Sequence, residues 1–133
     1  KELEAVIAST ALQVPATYTL KSYLINNGNI ITSSAQITLE REGKDLQGLC
    51  FGNGPVDAAF RALEQIIGTH YELDDFQIQA VTEGKEAVGS ALVRLRADGK
   101  LYSGKGVSTD IIGASIRAYL AAVNKIVFEE NGV

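Results

Sequence analysis

Two stretches, Ala35-Gln-Ile-Thr-Leu-Glu-Arg-Glu-Gly43 and Ala91-Leu-Val-Arg-Leu-Arg-Ala-Asp-Gly99, follow one pattern: apolar and polar residues alternate, then an acidic residue meets a glycine. Period-two alternation predicts strands with one buried face, the second less cleanly than the first. Glu42-Gly43 and Asp98-Gly99 predict tight hairpin turns into further strands at 44–51 and 100–105. Earlier strands at about 18–26 and 75–82 complete each set of three. The two sets are copies: residues 20–48 laid over 76–104 at a constant offset of 56, without a gap, agree at Gly28/Gly84, Ser34/Ser90, Ala35/Ala91, Leu39/Leu95, Gly43/Gly99, Lys44/Lys100 and Gly48/Gly104. These positions are turn and core positions, and a similar helix follows each copy. Two copies of this period are too few for a solenoid and fit two pseudo-symmetric halves of one domain.

The first helix is expected to begin near Pro55, a residue suited to a first helical turn, to present Val56, Ala59, Phe60, Leu63, Ile66 and Ile67 on one face, and to stop at Gly68. The second is expected after Ser108 as N-cap, with a stripe of Ile112, Ser115, Ile116, Tyr119, Leu120 and Val123. The sum is an α+β domain of two βββα units, about 15–70 and 71–133. Residues 1–14, with Leu3, Val6 and Ile7 on one short helical face, read as a linker helix from something upstream.

The chain of 133 residues falls in the single-domain range. A net charge of −4 without a Lys/Arg cluster removes the electrostatic footprint that nucleic acid or an anionic membrane would need. Mean hydropathy of +0.08, with no stretch approaching the roughly 18 apolar residues of a membrane span and no secretory segment, points to a soluble cytoplasmic protein. One cysteine, Cys50, and one histidine, His70, exclude a disulfide framework and a Cys/His zinc cluster within one chain. Cys50, in the apolar run Leu49-Cys50-Phe51, reads as a buried structural thiol and His70 as a surface residue. Most enzyme chemistries lack their usual groups here.

Gly52-Asn53-Gly54-Pro55-Val56-Asp57 runs straight into a helix, and Gly104-Lys-Gly-Val-Ser-Thr-Asp110 does the same in the second half. Glycine-flanked N–H groups at a positive helix end can hold a phosphate or carboxylate, or form a tight strand-to-helix turn. Neither stretch is a P-loop or a dinucleotide fingerprint. Asp57 and Asp110, which align at an offset of 53, read as helix-start carboxylates that offset the dipole. Asp74 and Asp75 precede a strand, where they could neutralise a ligand ammonium or lie in a solvated turn.

Gly52-Asn-Gly-Pro-Val-Asp-Ala58, together with Tyr102-Ser-Gly-Lys-Gly-Val-Ser-Thr-Asp-Ile-Ile-Gly-Ala-Ser-Ile-Arg-Ala-Tyr-Leu120, resembles the signature of the regulatory domain of 2-isopropylmalate synthases, and the resemblance covers nearly the whole chain. Related citramalate synthases have a similar domain that answers to isoleucine. The resemblance implies a homodimeric module that binds L-leucine near its interface for feedback inhibition. It also implies an upstream barrel that condenses acetyl-CoA with 2-oxoisovalerate using a divalent metal, with no cofactor and no catalytic residue in this domain. Carried over by position, it implies effector contacts at Gly52, Asn53, Gly54, Val56, Leu73, Phe76, Ala80, Ala87 and Ile111. Phe76 stands where some relatives are expected to carry tyrosine. A zwitterionic amino acid needs donors for its carboxylate, an acceptor for its ammonium and an apolar cavity. The helix-start turns, then Asp74, Asp75 or backbone carbonyls, and then Leu73, Phe76, Ala80 and Ile111 answer those needs. Two other readings are a dimerisation module with a vestigial pocket and a small enzyme that uses the Gly-x-Gly turns on a phosphate ligand.

Overall fold

The computed structural model describes residues 14–29, 32–83 and 86–131, the side chains of 80–87 excepted; the linker helix expected over 1–14 lies almost wholly outside them. The order is β1 (Thr19–Asn26), β2 (Ser33–Arg41), β3 (Lys44–Gly52), α1 (Pro55–Ile67), β4 (Glu72–Glu83), β5 (Glu86–Ala97), β6 (Lys100–Ser108) and α2 (Ile111–Asn131). Two antiparallel sheets, β1-β2-β3 and β4-β5-β6, are each followed by one helix, which is the α+β architecture the duplication predicts.

The hairpin turns close as expected. Arg41 pairs with Lys44 and Ala97 with Lys100, and the two residues between have φ of 53° and 78° in one turn and 52° and 78° in the other. Positive φ at both central residues is the type I′ turn, whose twist matches the strands it joins. On β2, Ala35, Ile37 and Leu39 are fully buried, and Ala91, Val93 and Leu95 on β5 are buried likewise, so the alternation marks the face under each helix. α1 buries Ala58, Ala59, Phe60, Ala62 and Leu63. It stops at Gly68, where φ of 84° lets the N–H bond back to the Glu64 carbonyl at 2.7 Å.

α2 departs from the one-striped helix expected. It is buried nearly all round, and by length and composition it is apolar enough to cross a membrane, although 67% of its apolar window is buried inside the fold. It is wrapped from two sides. Gly104 and Gly106 of β6 leave room for its backbone: a Cβ on the first would collide with the Ala118 carbonyl and Ala122 nitrogen, and on the second with the Ala114 carbonyl and Ala118 nitrogen. From the other half, β1 runs along it. The Tyr18 N–H donates to Asn124 Oδ1 at 2.9 Å, Asn124 Nδ2 donates to the Tyr18 carbonyl at 3.1 Å, and the Tyr23 ring lies against Gly113.

The halves match at two offsets, not one. Tyr23 pairs with Ile37 and Phe76 with Val93, so β2 and β5 correspond at 56 residues but β1 and β4 at 53. Tyr18, Leu20, Tyr23 and Ile25 then match Tyr71, Leu73, Phe76 and Ile78. Both first strands also carry a bulge at the same place, between Leu20 and Ser22 and between Leu73 and Asp75. The ungapped alignment misses this because the β4–β5 hairpin is longer than β1–β2. Cys50 is also corrected: it is half-buried on the helix-facing side of the edge strand β3, where α1 covers it incompletely.

Candidate functional site

The two helix starts correspond, Gly54 to Asp110, but are finished differently. At α2 the Asp110 carbonyl accepts the Ala114 N–H at 2.9 Å, which makes Asp110 the N-cap. Its Oδ1 accepts the Ile112 N–H at 3.1 Å, and its Oδ2 accepts the Gly113 N–H at 3.2 Å and the Tyr23 hydroxyl at 2.7 Å. Ser108, the cap expected from sequence, instead accepts the Asp110 N–H at 3.2 Å. The bond to Asp110 pushes the Tyr23 phenol above its ordinary value, with burial adding to it.

At α1 the N-cap is Gly54, with φ of 120° and no side-chain cap, followed by Pro55. A Cβ on Gly54 would meet nothing within 4 Å, so the space beyond this turn is open. Gly52 is confined instead, because a Cβ there would come 2.7 Å from the Ala58 Cα and from Asp57 Oδ2. Asp57 and Asp110 are therefore not equivalent. Asp57 sits three residues into the helix, and its Oδ2 accepts the Asn53 N–H and Arg61 Nε, each at 2.9 Å. The backbone N–H, and then Arg61, hold its carboxyl below the usual range.

The residues implied for an effector fall into separate groups within one chain. Gly52, Asn53, Gly54 and Val56 are contiguous at the start of α1. Phe76 reaches the same helix, its ring 5.4 Å from that of Phe60, which also stacks on Tyr119 at 4.8 Å. Ile111 opens α2 with its Cδ1 over Gly89, whose ladder partner is Ala80; Ala87 pairs with Thr82 in the same hairpin. The side chains of Ala80 and Ala87 lie outside the described residues. Leu73 pairs with Leu95 at the bulge, seven residues from Ala80 along β4, roughly 23 Å. One small ligand cannot touch both within a single chain.

Asp74 and Asp75 lie within β4, not ahead of it. Asp74 accepts from Arg96 at 2.9 Å, and Asp75 from Arg94 at 3.3 Å and Gln77 at 2.9 Å, so both charges are matched inside the chain. An open groove of about 720 Å³ follows the outside of α1 beside β3, lined by Leu49, Cys50, Phe51, Arg61, Glu64 and His70 among others. It ends one residue short of Gly52. His70 lies at the surface, as expected, with Nδ1 2.6 Å from Glu64 Oε2.

Tyr23, which ties one half to the helix start of the other, is a residue that the sequence reading passed over. Its signal was the match of Tyr18, Leu20, Tyr23 and Ile25 to Tyr71, Leu73, Phe76 and Ile78, visible only when the offset is allowed to change. A family model described as the LeuA allosteric (dimerisation) domain matches residues 1–127. The chain belongs to this family. Other members include proteins named 2-isopropylmalate synthase from Clostridium kluyveri, 40% identical over 97% of this chain and 25% of the relative, and Carboxydothermus hydrogenoformans, 41% identical over 97% and 26%. The relative from Pelotomaculum thermopropionicum, with the same name, is 40% identical over 97% and 26%. This LeuA allosteric domain thus spans about a quarter of the length of the curated relatives it matches.

Proposed function

We propose that this allosteric domain binds L-leucine at the start of α1 and thereby mediates feedback inhibition of a 2-isopropylmalate synthase, whose acyl transfer and divalent metal belong to an upstream barrel. The observation that carries the reading is the difference between the two helix starts. At α2 the chain's own Asp110 carboxylate occupies the Ile112 and Gly113 N–H groups, whereas at α1 Gly54 brings no carboxylate and the space beyond it is open. An effector carboxylate takes at α1 the place that Asp110 takes at α2, where dipole and backbone donors favour an anion. Val56 in the first turn of α1, and Phe76 of β4, whose ring packs against Phe60 of α1, supply apolar contact. Because Leu73 stands well away from Ala80 and Ile111, the full set of contacts requires a second copy to complete the pocket.

The ammonium group is received by backbone carbonyls near the turn in preference to Asp74 or Asp75, since each of these would have to leave an arginine first. Inhibition follows if leucine binds one arrangement of the paired domains better than another, and its effect is bounded by that difference in affinity.

Calorimetry of the domain with leucine, valine and isoleucine tests the proposal. Leucine should bind with one site per chain and about fivefold more tightly than valine, because one further buried methylene is worth about 0.8 kcal/mol. Isoleucine binding tenfold tighter than leucine would move the assignment to a citramalate synthase. No heat with any of the three would leave a dimerisation module with a vestigial pocket.

A further inference from the structure

We infer that Asn53 is a site of spontaneous covalent modification, at which the Gly54 nitrogen attacks the Asn53 side-chain amide and the residue becomes aspartate or isoaspartate. The chemistry stands apart from the leucine site, and only its consequence for binding rests on that reading.

Asn-Gly occurs at 27–28, 53–54 and 131–132, and Gly132 lies outside the described residues. The first two pairs differ in how the asparagine is held. Asn27 Oδ1 accepts the hydroxyl of Ser33, a buried residue of β2, so its side chain is anchored to a strand. Asn53 is exposed, and its side chain makes no hydrogen bond among the described residues; it is held through its backbone N–H, which donates to Asp57 at 2.9 Å. Gly54 has no Cβ to shield its nitrogen, and nothing lies within 4 Å of where one would stand. Its N–H also meets no acceptor among the described residues. The positive end of α1 favours both the amide anion that attacks and the carboxylate that results.

The reaction needs water alone. The Gly54 nitrogen loses its proton to solvent base and bonds to Asn53 Cγ, the Cγ–Nδ2 bond breaks, and the side-chain nitrogen leaves as ammonia after taking up a proton. Water then opens the five-membered imide. Attack at Cγ gives aspartate; attack at the main-chain carbonyl carbon gives isoaspartate, whose main chain runs through Cβ and Cγ and is longer by one methylene. Gly52 cannot absorb that length, since a Cβ there would already stand 2.7 Å from the Ala58 Cα. The extra methylene therefore displaces Gly54 and the first turn of α1, where the donors assigned to the effector carboxylate lie.

Incubation of this chain in mildly alkaline buffer, followed by ion exchange and peptide mapping, tests the assignment. Either product is ionised at neutral pH, so an acidic form with net charge −5 in place of −4 should accumulate. Mapping should find isoaspartate at residue 53 several-fold sooner than at residue 27 in the folded chain, and at similar rates in denaturant. The rate should rise with pH, because the amide anion is the nucleophile. Asn53→Ala should abolish the early acidic form, and Gly54→Ala, whose Cβ shields the nitrogen, should slow it several-fold. An Asn53 that stays intact in the folded chain, or reacts no faster there than Asn27, overturns the assignment. Calorimetry of the separated isoaspartyl form should show leucine binding lost, and binding equal to that of the unreacted chain would overturn the consequence. Failure of the leucine proposal reads differently: the unreacted chain gives no heat with leucine, while isoaspartate still forms at residue 53.

Discussion

The Tyr23 hydroxyl on β1 donates to the Asp110 carboxylate at the start of α2 at 2.7 Å, so a strand of one half is tied to the helix of the other. Phe76, the counterpart of Tyr23, lacks that hydroxyl, and Gly54, the counterpart of Asp110, lacks the carboxylate. Tyr23→Phe should therefore remove one hydrogen bond without disturbing the cap, at a cost of about 1 kcal/mol. The folded phenol titrates above its ordinary value of 10.0, so the bond's contribution is complete below that value and is lost as pH rises through the higher folded one. Denaturant melts of both proteins should differ at neutral pH and converge in strong base. Equal stability at pH 7 would show that the tie adds nothing.

Asp110 should matter more than Tyr23, because its carboxylate serves two backbone donors and the phenol together. Asp110→Ala is expected to cost about 2 kcal/mol, the upper range for loss of an N-cap. Double-mutant analysis with Tyr23→Phe should show non-additive losses, since both substitutions remove the same bond. Strict additivity would place Tyr23 and Asp110 apart in solution.

Asp57 supplies a test in acid. Its carboxyl titrates below its ordinary value of 3.8, chiefly because the Asn53 N–H donates to it. The ionised form therefore stabilises the fold above that value, and the contribution disappears as pH falls through the lower folded value. The carboxylate is 40% exposed, so solvent screening holds its worth to about 0.5 kcal/mol. Asp57→Asn should be less stable than the parent at pH 7 and equal to it at about pH 2, well below the ordinary carboxylate value. A gap that persists in acid would trace to packing.

What the sequence made legible is local. The Glu42-Gly43 and Asp98-Gly99 turns, the alternation on β2 and β5, Pro55 at the start of α1 and Gly68 at its end are each set within a few residues, and each stands where expected. What it concealed depends on distant segments. The pairing of β1 with β2 and of β4 with β5 is set by hairpin length, so a constant offset could not match Tyr23 with Phe76. The roles of Asp57 and Asp110 depend on where each helix begins, and three residues changed one from a cap into a carboxylate that reaches back. α2 could not be read as wrapped on all sides, because β1, more than eighty residues before it, supplies part of the cover. The residues implied for the effector were recognisable as motif positions, but the separation of Leu73 from Ala80 follows only from the strand.

Tyr119 tests the cost of an unmet polar group. The residue is 2% exposed, its hydroxyl has no hydrogen-bond partner among the described residues, and burial raises its phenol well above the ordinary value. Tyr119→Phe keeps the ring stacked on Phe60 while removing that hydroxyl. Stability should be unchanged or rise by up to about 1 kcal/mol. A loss larger than that, in thermal or denaturant unfolding, would reveal a partner for the hydroxyl.

Two glycines separate binding from folding. At Gly104 a Cβ would be driven into the α2 backbone at Ala118 and Ala122, and neither helix nor strand can move without opening the core. Gly104→Ala should therefore cost about 3 kcal/mol, the upper range for overpacking a well-filled interior. Gly54 is the opposite case. Nothing lies within 4 Å of a Cβ there, so Gly54→Ala meets no clash, and its cost of about 1–2 kcal/mol arises from holding a side chain at φ of 120°. The added methyl would sit where the effector carboxylate is proposed to approach, and relief of the strained φ would turn the backbone donors away. Gly54→Ala should thus stay folded and bind no leucine, whereas a mild substitution elsewhere in the turn, Asn53→Ala, should retain binding because the Asn53 contact seen here is made by its backbone N–H. Calorimetry beside a thermal melt distinguishes the outcomes: a folded Gly54→Ala domain that binds leucine as the parent does would remove the start of α1 from the effector site.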